Sequence, residues 1–146
     1  MITIRIWHKS LVKYLPDMQL RGQWRECVLI AKDLNEKGKT NHLLINILQD
    51  YTYDEFATYC WIVLNELNNR EINVTAASVR KIFNKQYNLN CGDLFVGWHN
   101  KEYLRVCVCN LFEKYKFGRG KSRITETEWE TLSNGYKVIT GEEYKI

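Results

Sequence analysis

One long amphipathic helix constrains the fold of this chain more than any other feature of its sequence. Between residues 17 and 37, apolar side chains recur every three or four positions, which is the spacing of a single helix face. Asp17 after Pro16 is a suitable N-cap, and Gly38 is a suitable stop. The apolar stripe consists of Leu20, Trp24, Cys27, Val28, Ala31 and Leu34.

The polar side of this helix carries residues suited to chemistry on a phosphate backbone. At about 100° per residue, Arg21 and Arg25 share a stripe, and Glu26 points roughly 130° away from the apolar face. Arg25 can grip a phosphate while Glu26 moves protons or stabilises a developing cation. Most such residues on polar helix faces are simply solvated, so this pattern alone leaves the functional interpretation a minority one.

The rest of the chain predicts an all-α fold. Three long helices plus short ones would form a compact single-domain bundle, because no repeat or linker divides the chain before about residue 120. We expect a helical domain over 1–123 and a C-terminal tail over 124–146, with a helical turn from Thr125 and an irregular or hairpin end from Tyr136. The other predicted helices cover 41–49, 54–70, 76–86 (capped by Thr75) and 100–115 (capped by Asn100), with a loop over 87–99.

Composition excludes several classes of protein. A hydrophobic content of 45% and a charged content of 26% are ordinary for a soluble domain. No apolar run approaches the roughly 18 residues of a membrane span, and the first residues do not resemble a secretory signal. We therefore expect a cytoplasmic monomer that does not bind membranes.

The sequence predicts no metal site and no cofactor. Cys107 and Cys109 form a C-x-C without a second pair, and the other cysteines lack zinc-type spacing. We expect the five cysteines to be free thiols. The three histidines are widely separated, and we expect structural roles for them: His8, His42 and His99.

Charge is unevenly distributed. The net charge of +4 divides into +7 for residues 1–125 and −3 for residues 126–146. After residue 113, cations interleave with Tyr115 and Phe117 and with two glycines, a pattern typical of a nucleic-acid-binding arm. A solvated charge run at a helix C-terminus explains the same residues equally well. The cations are Lys114, Lys116, Arg119, Lys121 and Arg123.

Several short segments, in order, resemble a known family. Arg5-Ile6-Trp7-His8-Lys9, Leu15-Pro16, Gln19-Leu20, Gly22-Gln23 and Arg25-Glu26 are similar to the opening of endonuclease V-type pyrimidine-dimer DNA glycosylases. The segments 41–44, 51–56 and 99–104 are similar to later parts of the bacterial members. The resemblance covers roughly residues 4–116.

The resemblance implies a metal-free, all-α DNA glycosylase, with or without an associated lyase step, that binds damaged duplex DNA and flips a nucleotide. The chain's α-amine, here that of Met1, would attack C1′, and Glu26 would be the catalytic carboxylate. Arg5 and Arg25 would clamp phosphate or sugar. The full predicted DNA-binding set is Arg5, Arg21, Trp24, Arg25, Lys114, Lys116, Arg119 and Lys121.

Two departures from the family pattern keep other functions open. Four residues, Met1 to Ile4, precede Arg5, where the phage enzymes have a single threonine after processing. Gln19 stands where the phage enzymes have a DNA-contacting histidine. A non-catalytic DNA-binding protein on the same scaffold is the alternative, and a protein-interaction module with incidental basicity is the third hypothesis.

Overall fold

The computed structural model describes residues 5–40 and 43–146, which form a helical bundle without a β-strand in those ranges. Short 3₁₀ helices at Lys9–Tyr14, Leu43–Asp50 and Gly120–Ser122 connect the main elements. The prediction of an all-α bundle is confirmed. The α-helices are α1 (Asp17–Lys37), α2 (Tyr53–Asn69), α3 (Ala76–Ile82), α4 (Lys101–Phe117) and α5 (Glu126–Thr140).

Helix α1 matches its predicted span, but its cap differs from the prediction. Pro16 occupies the N-cap position and no side chain caps the helix, so the prediction of Asp17 as N-cap was wrong. Asp17 is instead the first helical residue, where its charge suits the helix dipole, and it pairs with Arg70 at 2.9 Å. Gly38 ends the helix with a φ of 72°, a backbone conformation that favours glycine.

The predicted caps of the next helices are largely confirmed. Thr75 and Asn100 accept backbone N–H hydrogen bonds at the starts of α3 and α4. Thr52 does the same for α2, which begins at Tyr53, one residue before its predicted start. Helix α3 stops at Ile82, short of the predicted residue 86. The predicted helix at 41–49 is a 3₁₀ helix from Leu43, and its first two residues, Asn41 and His42, lie outside the described residues.

The hairpin predicted near the C-terminus was wrong, and the irregular tail is confined to residues 141–146 instead of starting at Tyr136. Thr125 and Glu128 form a reciprocal capping box, and from there α5 continues through the predicted hairpin region to Thr140. Helix α5 packs against α4 and against the 3₁₀ helix at 9–14. At Gly135 it lies directly against the Tyr14 ring, where an added Cβ would come within 2.5 Å of Cγ.

The core surrounds Tyr59 of α2, which is fully buried. Its hydroxyl donates to the Trp7 carbonyl at 2.6 Å, so the N-terminal segment is tied to the centre of the bundle. His8 and His99 stack beside it with ring centroids 5.0 Å apart. Burial lowers the pKa of His8 to about 4 and that of His99 to about 2, so both rings are neutral near pH 7.

Three of the five cysteines, Cys27, Cys60 and Cys107, are buried, and all five are free thiols. Within the described ranges, no three His, Cys, Asp or Glu side chains are grouped as they would need to be to hold a metal ion. No helix there combines the length and apolarity needed to cross a bilayer.

Candidate functional site

A cleft of about 540 Å³ opens where the N-terminal segment, α1 and the end of α4 meet. The N-terminal segment contributes Arg5 and Trp7. Helix α1 contributes residues of its N-terminal half, and α4 contributes its last two turns together with the following loop. The lining residues of α1 are Met18, Gln19, Gly22, Gln23, Arg25 and Glu26, and those of α4 and its loop are Asn110, Glu113, Lys114, Phe117, Gly118 and Ser122.

Glu26 is half-buried in this cleft and is held by the start of the described chain. Its Oε2 accepts a hydrogen bond from the Arg5 backbone N–H at 3.2 Å and a longer one from Gln23 Nε2 at 3.4 Å. The predicted placement of a carboxylate outside the helix core, next to the N-terminal segment, therefore matches the structure.

The environment of Glu26 changes its protonation. Burial raises its pKa from an ordinary 4.5 to about 7, against the lowering effects of the Arg5 N–H and of the charges on Arg25, Lys114 and Arg5. Such a carboxyl exchanges protons near neutral pH, which is the property required of a group that stabilises a cation or moves a proton.

Gln23 connects the N-terminal segment to α1. Its Oε1 accepts from the Trp7 N–H at 2.7 Å, and its Nε2 donates to the Arg5 carbonyl at 2.9 Å. Sequence reasoning did not assign it a role. Its position three residues before Glu26, on the same side of α1, was the available signal, because such residues are neighbours on a helix.

The predicted clamp residues Arg5 and Arg25 line the same cleft as Glu26. The Arg5 guanidinium lies over the Trp7 ring, 5.5 Å from its centroid, and Trp7 itself is buried. Arg25 is exposed and folds back over Gly22, where an added Cβ would lie 3.7 Å from its Nη2. Both guanidinium groups are therefore placed at the cleft that contains the carboxylate.

The basic arm after α4 reaches the cleft with only part of its length. Lys114 is half-buried in the cleft wall, and Phe117, 80% exposed, stands at its rim. Lys116, Arg119 and Lys121 are exposed but do not line it. The arm is fastened to α1 by the Gln19 side chain, whose Nε2 donates to the Ser122 carbonyl at 2.8 Å.

Two predicted DNA-binding residues lie elsewhere. Trp24 is only 5% exposed and its indole N–H donates to Ser78 Oγ at 3.1 Å, so the prediction of Trp24 as a DNA contact is corrected to a core residue. It falls on the apolar stripe of α1, and that stripe faces α3. Arg21 lines a second, more apolar cavity of about 480 Å³ beside α3, which also includes Arg25.

Met1, the predicted nucleophile, lies outside the described residues. The remaining cleft residues that sequence reasoning missed are Met18, Asn110 and Glu113. They come from turns of α1 and α4 that approach one another only in the folded chain, so no local pattern marks them.

Comparison with known proteins adds the family. The family model described as pyrimidine dimer DNA glycosylase matches residues 4–78, which is just over half the chain and includes Arg5, Arg25 and Glu26. Neither the curated proteins nor the solved structures gave a match. A family match over more than half of the chain shows that the chain belongs to the pyrimidine dimer DNA glycosylase family.

Proposed function

We propose that this protein excises damaged or modified bases, such as pyrimidine dimers, from double-stranded DNA by an amine-dependent mechanism in which Glu26 is the catalytic carboxylate. Membership of a DNA glycosylase family makes damaged DNA the general substrate. The observation that carries the finer proposal is the half-buried Glu26 carboxyl, hydrogen-bonded to the Arg5 backbone and flanked by Arg25 in an open cleft.

The proposed chemistry needs the sugar carbon C1′ to enter this cleft, which requires a flipped or strongly displaced nucleotide. An amine attacks C1′ as the bond to the base breaks, and the base leaves with the bonding electron pair. Ionised Glu26 stabilises the positive charge that develops on the sugar. The amine is the chain's N-terminal one, assigned to Met1 from the sequence, and the family resemblance is its support.

Arg5, Arg25 and Lys114 would hold the phosphates on either side of the displaced nucleotide. The arm with Lys116, Arg119 and Lys121 would extend this contact along the backbone. After base loss, the attacking nitrogen gives up its protons and the C1′–O4′ bond breaks as O4′ takes up a proton, which leaves an imine between the amine and the opened sugar. Removal of a C2′ proton then expels the 3′ phosphate by β-elimination, which is the associated lyase step.

A Glu26→Gln protein tests the catalytic assignment. Single-turnover excision from dimer-containing duplex DNA should slow by about a hundredfold or more, because a neutral amide cannot balance the charge on the sugar. Binding to the same duplex should change little. Glu113→Gln is the matched control, since Glu113 lines the same cleft without contacting the Arg5 backbone.

Excision by Glu26→Gln at the wild-type rate would remove Glu26 from the mechanism. If instead the wild-type protein bound duplex DNA without excising a base from any lesion, the alternative would be favoured, a non-catalytic DNA-binding protein on this scaffold. Mass spectrometry of the purified protein's N-terminus would show which α-amine is present.

A further inference from the structure

The position of Lys114 suits it to chemistry in the cleft as well as to binding phosphate. It lies in the wall of the Glu26 cleft, it is half-buried, and its ammonium group acts electrostatically on Glu26. Among the described residues that line the cleft, it is the one lysine, and therefore the one side chain that can supply a primary amine.

The Lys114 ammonium group also has no hydrogen-bond or ion-pair partner among the described residues. Some other lysines of the chain form ion pairs with carboxylates, namely Lys9 with Asp93, Lys101 with Glu142 and Lys137 with Glu143. No hydrogen bond or ion pair within the described ranges holds the Lys114 Nζ. Only its backbone is fixed, because its carbonyl accepts from the N–H groups of Gly118 and Ile124 at the end of α4.

We propose that the Lys114 ε-amine is a second imine-forming group of this cleft, which attacks the C1′ aldehyde of an abasic sugar independently of the chain's α-amine. This inference rests on the proposed function, because base excision would create that sugar in the same cleft. The protein could then cleave a DNA strand at an abasic site through an imine formed by Lys114.

The steps need no external oxidant or reductant. The neutral Lys114 amine adds to the C1′ aldehyde of the ring-opened sugar, and loss of one water gives the imine. A C2′ proton is then removed and the C3′–O bond breaks, with its electron pair leaving on the 3′ phosphate. Water hydrolyses the remaining unsaturated imine, which releases the sugar fragment as an aldehyde and restores the amine. Glu26 lines the same cleft and exchanges protons near neutral pH, so it is suited to accept the ammonium and C2′ protons.

The test separates the two amines by blocking one of them. The full-length protein is acetylated at mildly acidic pH, where an α-amine with a pKa near ~8 reacts and lysine side chains near ~10.4 are protected by protonation. Blocked and unblocked proteins are then mixed with preformed abasic duplex DNA and sodium borohydride, which reduces an imine to a stable covalent link. Protease digestion and mass spectrometry locate the attached residue.

We expect the blocked protein to form a covalent adduct located at Lys114. In blocked Lys114→Arg the yield should fall at least about tenfold, because a guanidinium does not form this imine, while its affinity for abasic DNA stays close to that of wild type since the charge is retained. Lys137→Arg is the matched control, an exposed lysine on α5 outside the cleft, and should leave the yield unchanged.

A blocked protein that forms no adduct, or an adduct found only at other residues, would overturn the inference. Mass spectrometry of the blocked wild-type protein shows whether Lys114 carries the adduct, and this result does not depend on whether a substituted chain folds. These outcomes are distinct from failure of the proposed function, which is read from excision of dimers by unblocked protein. An adduct confined to the α-amine would support the proposed function and reject the role of Lys114.

Discussion

Glu26 projects from α1 toward the backbone of Arg5 and is half-buried there. Water therefore reaches only part of its carboxyl group. The cost of removing water from the charged form exceeds the favourable effects of the nearby N–H and cations, so its pKa is raised to about 7. The folded protein therefore holds a proton on Glu26 over a pH range in which the unfolded chain has released it.

This difference predicts how stability depends on pH. Between about pH 4.5 and pH 7 the folded state binds more protons than the unfolded state, so the contribution of Glu26 to stability is lost as the pH rises through this window. Glu26→Gln should therefore be more stable than wild type at pH 8, by on the order of 1 kcal/mol once solvent access to the cleft is allowed for. Urea unfolding at pH 8, 6 and 4.5 measures the difference, which should shrink toward zero at the lowest pH.

Glu113→Gln is the matched control, because Glu113 lines the same cleft but its side chain is exposed instead of half-buried. A Glu26→Gln protein less stable than wild type at pH 8 would contradict this account. If the prediction holds, the proposed catalytic carboxylate is maintained at the expense of stability, as is common at functional sites.

At the level of elements, the N-terminal segment is held from two sides. Gln23 of α1 binds its backbone at Arg5 and Trp7. The 3₁₀ helix that follows, Lys9–Tyr14, is covered by α5, with Gly135 directly against the Tyr14 ring. Helix α5 is far from Glu26 in sequence, yet it supports the segment whose N–H contacts that carboxylate.

Gly135→Ala should destabilise the protein by about 1–3 kcal/mol, the usual cost of overpacking a well-filled interface. A Cβ at this position would lie 2.5 Å from Tyr14 Cγ, and an atom so close to the backbone cannot move aside without shifting the 3₁₀ helix. Thermal or urea unfolding measures the loss. Asn134→Ala, at an exposed neighbouring position on α5, is the control and should be neutral or slightly stabilising. A Gly135→Ala protein as stable as wild type would show that this contact tolerates added volume.

At the scale of the whole molecule, charge is segregated. The chain carries a net +4, with the excess of cations in residues 1–125 and an excess of carboxylates in the part that contains α5. Arg5, Arg25 and Lys114 meet at the cleft, although they are far apart in sequence. A polyanion is therefore attracted toward the cleft face rather than toward α5.

Binding to duplex DNA should weaken steeply with salt, because each phosphate contact releases condensed counterions. Arg25→Ala should reduce the slope of log K against log salt concentration by about 1, and it should weaken binding to damaged and undamaged duplexes alike. Fluorescence anisotropy over a salt series gives the slope. Lys137→Ala on α5, outside the cleft, should leave the slope unchanged. A slope independent of Arg25 would place the DNA on another face.

The sequence by itself determined the helices and the polar position of Glu26. Periodic apolar residues and local caps such as Thr75 and Asn100 are short-range signals, and they predicted α1, α2 and α4 nearly to their ends. Helix α5 was missed beyond its first turns, because strand-forming residues such as Tyr136 and Val138 also suit a hairpin, and packing against α4 decided for the helix.

Only the tertiary structure decided what the polar face of α1 does. Burial raised the pKa of Glu26. Gln19 hydrogen-bonds the arm, and Gln23 hydrogen-bonds the N-terminal segment. Trp24 packs toward α3 and hydrogen-bonds Ser78 there. Lys114 joined Glu26 in one cleft across almost ninety positions of sequence. The physical reason is that desolvation and electrostatic interaction depend on distances between elements, which the pattern along any one helix does not contain.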